Sequence, residues 1–219
     1  MKLVVGLGNP GPRYARTRHN VGWRVAERFA SDCGFRLDAS AYGGRYGQGR
    51  LRCAAAAWDV GVLLPQGFMN LSGDAVAEAV AELPLGDLRS DLLVVLDDVD
   101  LPFGRLRLRP GGGAGGHRGL SHVLERLGRN DFPRLRFGVG RPADATDTAD
   151  WVLQSFAPDE EAALPELVAR AARAAASALC EGVGAAMNTW NRDPAASAPA
   201  ASAEQIVRIS PVDNGGENS

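Results

Sequence analysis

Leu3-Val4-Val5 is an unbroken apolar run that gives way to Gly6-Leu7-Gly8. It predicts a short buried strand ending in a tight turn, because glycine permits backbone angles that other residues resist. Val21, Val25, Ala26, Phe29 and Ala30 recur at helical spacing, with Asn20 placed to cap the start and Gly34 to end the helix. His19 then stands just before a helix N-terminus. A pair of strands is expected within Arg45–Cys53 and Trp58–Leu64, the second running into Pro65-Gln66-Gly67-Phe68-Met69-Asn70. Ser72 is expected to cap a following helix that turns Ala75, Val76, Ala79, Val80 and Leu83 inward.

Farther on, Leu92 to Leu96 is apolar throughout and bounded by acids, which suits a central strand covered on both faces and delivers Asp97, Asp98 and Asp100 at its end. Arg105-Leu106-Arg107-Leu108-Arg109 alternates strictly, so its guanidinium groups share one face, and Arg134-Leu135-Arg136-Phe137 repeats the pattern. Between them a run of glycines from Gly111 to Gly116 predicts a mobile loop, followed by a helix with Leu120, Val123, Leu124 and Leu127 inward. Asp159 to about Trp190 is alanine-rich and helical, with Pro165 in a first turn or at a break. From Arg192 onward little can be buried, so the chain divides into a folded domain, 1–191, and a disordered tail, 192–219.

The chain has 219 residues and is 45% hydrophobic, enough for one substantial core. Cys33, Cys53 and Cys180 lack metal-binding spacing and read as reduced thiols of a cytoplasmic protein. No stretch has the length of a membrane span or the pattern of a leader, so neither export nor membrane insertion is expected. The net charge of −2 hides a concentrated basic region. Residues 105–141 carry nine arginines against Glu125 and Asp131, a local charge of +7 able to meet phosphates. Lys2 is the only lysine, so arginine identity by itself carries no weight.

Gly6-Leu7-Gly8-Asn9-Pro10-Gly11 satisfies a dinucleotide-binding pattern but fits poorly, since prolines bracket the third glycine and the helix begins only near Asn20. His19 is a candidate general base if a carboxylate fixes its tautomer, and Asp97 is the best-placed partner. Asp98 and Asp100 read as turn residues. No serine nucleophile is signalled, which leaves water. The five-residue spacing of His117 and His122 does not place both on one helical face, which argues against a metal site.

Several blocks together resemble the bacterial-type peptidyl-tRNA hydrolases. They are Val5 to Gly11 continuing through Tyr14 and Thr17-Arg18-His19-Asn20; Phe68 to Gly73; Asp97 to Pro102 with Gly104; Gly111 to His117 with Gly119-Leu120; and Phe132 to Pro142. The resemblance implies a single α/β domain with a twisted mixed β-sheet flanked by helices. It also implies a usually monomeric, metal-free enzyme acting on peptidyl-tRNA released prematurely from ribosomes, and no cofactor is expected. By the same resemblance His19 is the catalytic histidine and Asp97 its partner. Asn9 and Asn70 hold substrate, with Tyr14, Phe68 and Arg118 beside them. Arg109 and Arg136 clamp tRNA phosphate, and Arg107 is counted with them. Arg118 stands where the family usually has asparagine. A cation there either disfavours the His19 imidazolium or swings out to the terminal nucleotides. Gly67 also replaces a larger polar residue. Two other readings stay open: an RNA-binding protein of the same scaffold without catalysis, and a small-molecule hydrolase or phosphorylase of similar architecture.

Overall fold

The apolar runs at Leu3–Val5 and Leu92–Leu96 lie side by side at the centre of a seven-stranded sheet, where both faces are covered. The computed structural model describes residues 1–142 and 147–192. In chain order the elements are β1 (Lys2–Gly6), a 3-10 turn at Arg18–Asn20, α1 (Val21–Asp32), β2 (Ala39–Ala41), β3 (Gly44–Arg52), β4 (Ala57–Pro65), a second 3-10 turn at Met69–Leu71 and α2 (Ser72–Glu82). There follow α3 (Leu88–Asp91), β5 (Leu92–Asp98), β6 (Leu106–Arg109), α4 (Arg118–Leu127), β7 (Arg134–Gly138), α5 (Thr148–Val152), α6 (Pro158–Glu181) and α7 (Val183–Trp190).

The strand order is β2-β3-β4-β1-β5-β7-β6. The central strands β4, β1, β5 and β7 run parallel, and β2, β3 and β6 add antiparallel edges, so the sheet is mixed as expected. One face carries α1, α6 and α7 over a core that includes Val4, Val95, Leu135 and Phe137. The other carries α2 and α4 over Leu3, Val5, Val94 and Leu96. All four parallel strands end on the same side, which is where open α/β sheets form their ligand crevice. Among the described residues no helix is long and apolar enough to cross a membrane.

The helix over Val21–Asp32 buries Val21, Val25, Ala26, Phe29 and Ala30 as its spacing predicted, and Gly34 ends it with φ +79°. Several local expectations are corrected. Asn20 makes no capping hydrogen bond to α1, and Ser72 is the first residue of α2 rather than its cap, donating through Oγ to the Met69 carbonyl at 2.9 Å. A 3-10 turn precedes each helix and satisfies its entry instead. Pro165 neither opens nor breaks its helix but lies within α6, which starts at Pro158. Its ring faces solvent, so water can reach the backbone carbonyl that it leaves unpaired, while the buried alanines of the other face hold the helix straight through.

Cys53 and Cys180 are not free thiols. They form a disulfide with Cα atoms 5.6 Å apart, tying the end of the β3–β4 hairpin to the end of α6. The two residues are 127 positions apart in sequence, and only the fold brings them together. Cys33 remains free, its thiol pushed up to about 12 by burial and by Asp32 beside it. The tail expected over 192–219 lies outside the described residues apart from Arg192.

Candidate active site

The parallel strands deliver the site at their carboxyl ends. β1 runs out into Leu7-Gly8-Asn9, β4 leads to Phe68 and the turn at Met69–Leu71, and β5 ends with Asp97 and Asp98. A cleft of about 560 Å³ opens there, lined by Asn9, Tyr14, His19, Phe68, Asn70, Asp97, His117, Arg118 and Arg136. Seven of the expected catalytic and substrate-binding residues therefore meet in one place. Arg107 and Arg109 do not line it. They sit on the edge strand β6, exposed and without an ion-pair or hydrogen-bond partner among the described residues.

His19 and Asp97 are hydrogen-bonded, Nδ1 to Oδ1, at 2.8 Å, both largely buried. The same oxygen lies 3.0 Å from Nε2 of His117. His117 is the N-cap of α4, and its Nδ1 accepts the backbone N–H of Leu120 at 3.1 Å. An amide N–H is only a donor, so Nδ1 must be unprotonated and Nε2 must carry the proton that goes to Asp97. Asp97 thus has one donor fixed by the helix start, and its second contact requires Nδ1–H on His19. Nε2 of His19 is then the unprotonated nitrogen, able to accept a proton. Burial pushes the Asp97 carboxyl up, but the two imidazoles outweigh it through charge and hydrogen bonds and hold the group well below the usual carboxylate range.

Backbone locks surround this pair. Gly6 and Gly22 let α1 lie directly on β1: a Cβ at Gly6 would stand 2.5 Å from the Gly22 carbonyl oxygen, and one at Gly22 would stand 2.6 Å from that of Val95. Arg18, 3% exposed, donates to Glu160 at 2.7 Å and to the Ser155 carbonyl, and stacks 3.7 Å from the Trp151 ring. Asn20 spends its amide on the backbone of Asn9, accepting its N–H at 2.8 Å and donating to its carbonyl at 2.9 Å. Asn9 Oδ1 accepts the Met69 N–H at 2.8 Å, which fixes which end of the amide is the donor and leaves its NH2 group without a hydrogen-bond partner among the described residues. Tyr14 and Phe68 meet edge to face with centroids 6.5 Å apart, and Phe68 is 56% exposed.

The two arginines of β7 differ from the expected open guanidinium face. Arg109 and Arg107 of β6 lie opposite Arg134 and Arg136, so all four side chains share one side of the sheet. Yet Arg134 is 1% exposed and donates to the carbonyls of Gly112, Asn130 and Phe132, its pKa pushed down to about 10 by burial and by Arg136. Arg136 donates to Asp98 at 3.1 Å and to the carbonyls of Gly113 and Ala114 at 3.1 and 3.2 Å. The glycine run, expected to be mobile, is therefore tied at three successive carbonyls. A loop without side chains covers this face, and its carbonyls take the donors that alternation alone would leave to solvent. Asp98 is more than a turn residue, since it pairs with Arg136 besides accepting the Asp100 N–H, and Asp100 pairs with Arg141.

His19, Asp97 and His117 are also the described His/Asp group whose atoms lie close enough to hold a metal ion, within 4.8 Å of one another. Those atoms already hydrogen-bond to each other, so an ion would have to break both contacts. In the sequence His117 stands out only beside His122 as a possible metal ligand, and its contact with Asp97 appears only in the fold. His122 instead accepts the Gly73 N–H at 3.0 Å and joins α4 to α2. The partners of Arg18 and Asn20 are equally invisible in the sequence, although both residues stand in the block that carries the resemblance.

The peptidyl-tRNA hydrolase family model matches residues 3–198. A peptidyl-tRNA hydrolase of Symbiobacterium thermophilum is 48% identical over 190 residues, covering 87% of this chain and 98% of that protein. One of Chloroflexus aggregans is 47% identical over 191 residues, covering 87% and 99%. The crystal structure of peptidyl-tRNA hydrolase from Acinetobacter baumannii superposes with a TM-score of 0.75 at 34% identity, over 87% of this chain and 94% of that one.

Proposed function

This chain belongs to the peptidyl-tRNA hydrolase family, and we propose that its cleft hydrolyses the ester joining a peptide to the 3′ end of tRNA, with His19 as general base. Nε2 of His19 takes a proton from water, and the hydroxide adds to the ester carbonyl carbon. The tetrahedral intermediate then collapses, breaking the bond to the tRNA 3′ oxygen, which leaves with the proton returned from Nε2. Asp97 keeps Nδ1 protonated and steadies the imidazolium in between. The NH2 groups of Asn9 and Asn70 donate to the oxyanion, and Tyr14 with Phe68 offers an apolar wall to the substrate. No metal or cofactor enters this scheme. The protein works as a cytoplasmic monomer.

Arg107 and Arg109 take tRNA backbone phosphates from the exposed face of the edge strand β6. Arg136 joins them only by exchanging Asp98 for phosphate, whereas the two arginines of β6 give up nothing among the described residues.

The observation that carries this reading is the 2.8 Å contact of Asp97 with His19 at the wall of the cleft. His19→Ala should slow release of tRNA from peptidyl-tRNA by at least about a hundredfold, the usual scale of general-base catalysis, with tRNA binding retained. Near-normal release by that variant would remove the histidine from the mechanism.

A further inference from the structure

Every acidic side chain lining the cleft has a partner. Asp97 meets His19 and His117, Asp98 meets Arg136, Asp100 meets Arg141, and Asp147 accepts the Ala149 N–H. Arg136 and Arg141 are correspondingly spoken for. Arg118 is the exception: it is exposed, lines the same cleft, and has no ion-pair or hydrogen-bond partner among the described residues. Arg118 is thus a cation without an ion pair in the lining where the substrate must lie, and the lining acid Asp147, held only by a backbone N–H, does not reach it with a salt bridge.

Its attachment is rigid although its head is free. The preceding His117 is held at both ring nitrogens, by Asp97 and by the Leu120 N–H. The following Gly119 lets the first turn of α4 lie against the Met69–Leu71 turn, since a Cβ there would fall 2.4 Å from the Met69 sulfur. The base of the Arg118 side chain is therefore fixed between the catalytic pair and the turn that carries Asn70. A guanidinium so mounted presents a planar fork suited to two anionic oxygens, the geometry of a phosphodiester.

We propose that Arg118 is a specificity-determining residue that grips an internucleotide phosphodiester at the single-stranded 3′ end of tRNA; this rests on the peptidyl-tRNA reading of the same cleft. A phosphodiester is favoured over a peptide carboxylate because every tRNA end carries one next to the ester, whereas acidic residues occur in only some peptides.

The test compares wild type, Arg118→Asn and Arg118→Lys on two substrates with an uncharged acyl group: an N-acylaminoacyl-tRNA, and the same N-acylaminoacyl ester on adenosine, which has no phosphodiester. Arg118→Asn should raise KM for the tRNA substrate by roughly tenfold more than for the adenosine ester, the scale of one charge-assisted hydrogen-bond pair. It should also flatten the dependence of log KM on log salt by about 0.7, the share of one phosphate on a single strand. Arg118→Lys should keep the salt slope while losing part of the affinity. Equal losses on both substrates would make Arg118 a residue of the reacting centre and overturn the proposal. So would an unchanged KM on tRNA, or a loss seen only with peptides bearing Asp or Glu. Wild-type protein that releases no tRNA at all would overturn the reading of the cleft itself, an outcome separate from any difference among the variants.

Discussion

His117 donates from Nε2 to the oxygen of Asp97 that also receives His19, and it does so because its other nitrogen is claimed by the backbone of α4. A helix start therefore sets the tautomer of His117, the residue that donates to the partner of His19. His117→Ala should remove the α4 cap, at a cost of about 1 kcal/mol, and lower kcat by roughly tenfold to a hundredfold, the usual effect of losing an orienting hydrogen bond. His117→Asn separates the two roles. It restores a good cap with too short a side chain to reach Asp97, so stability measured by urea unfolding should recover while kcat stays low. Recovery of both would reduce His117 to a cap.

Asp97 gives the fold a defined acid limit. Its carboxyl is held below the usual range in the folded chain, so the folded state binds its proton less readily than the unfolded one. The resulting stability is complete above the ordinary carboxylate pKa of about 4 and is lost as pH falls below it. Wild-type protein should lose more unfolding free energy between pH 7 and pH 3 than Asp97→Asn does. Equal losses would mean that the two imidazoles do not outweigh burial.

The cysteines make a countable prediction. Protein handled without reductant should contain the Cys53–Cys180 bridge, visible as an intact mass about two mass units below that of the reduced chain. Cys33, its thiol pushed up to about 12, should label slowly with iodoacetamide near neutrality until the chain is unfolded. Reduction should lower stability by about 2–4 kcal/mol, toward the upper end because the bridge closes a long loop. Two further reactive thiols in the native, unreduced protein would refute the bridge.

Arg107→Ala and Arg109→Ala should each weaken tRNA binding and reduce the slope of log K against log salt by about 0.9, the value for one duplex phosphate. Both should act on KM more than on kcat. A selective fall in kcat would place them in the chemistry instead.

The central strands were legible because burial on both faces leaves an unbroken apolar signature, and α1, α2 and α4 because amphipathic spacing survives in their sequences. His19, Asp97, Asn9 and Asn70 converge as expected, since each follows the carboxyl end of a parallel strand or the turn beyond it. What escaped depends on distant partners. Arg134 and Arg136 alternate as an exposed pair would, but a glycine loop more than twenty positions earlier in the chain turns its carbonyls onto them. The partner that makes Cys53 a bridge, Cys180, is farther still. Asn20 has the identity of a helix cap and the right position for one, yet the backbone of Asn9 claims it. Local patterns report which groups need partners, and tertiary geometry selects the partner.

The close seating of α1 on β1 has a consequence for how this site can vary. Because Gly6 and Gly22 carry no methyl group, the height of the imidazole above the sheet is inherited from the contact distance between two backbones. Rim side chains such as Arg118 can be exchanged one at a time without disturbing that datum. A single added carbon at either glycine would lift the helix and misalign the reaction, however intact every reacting side chain remained.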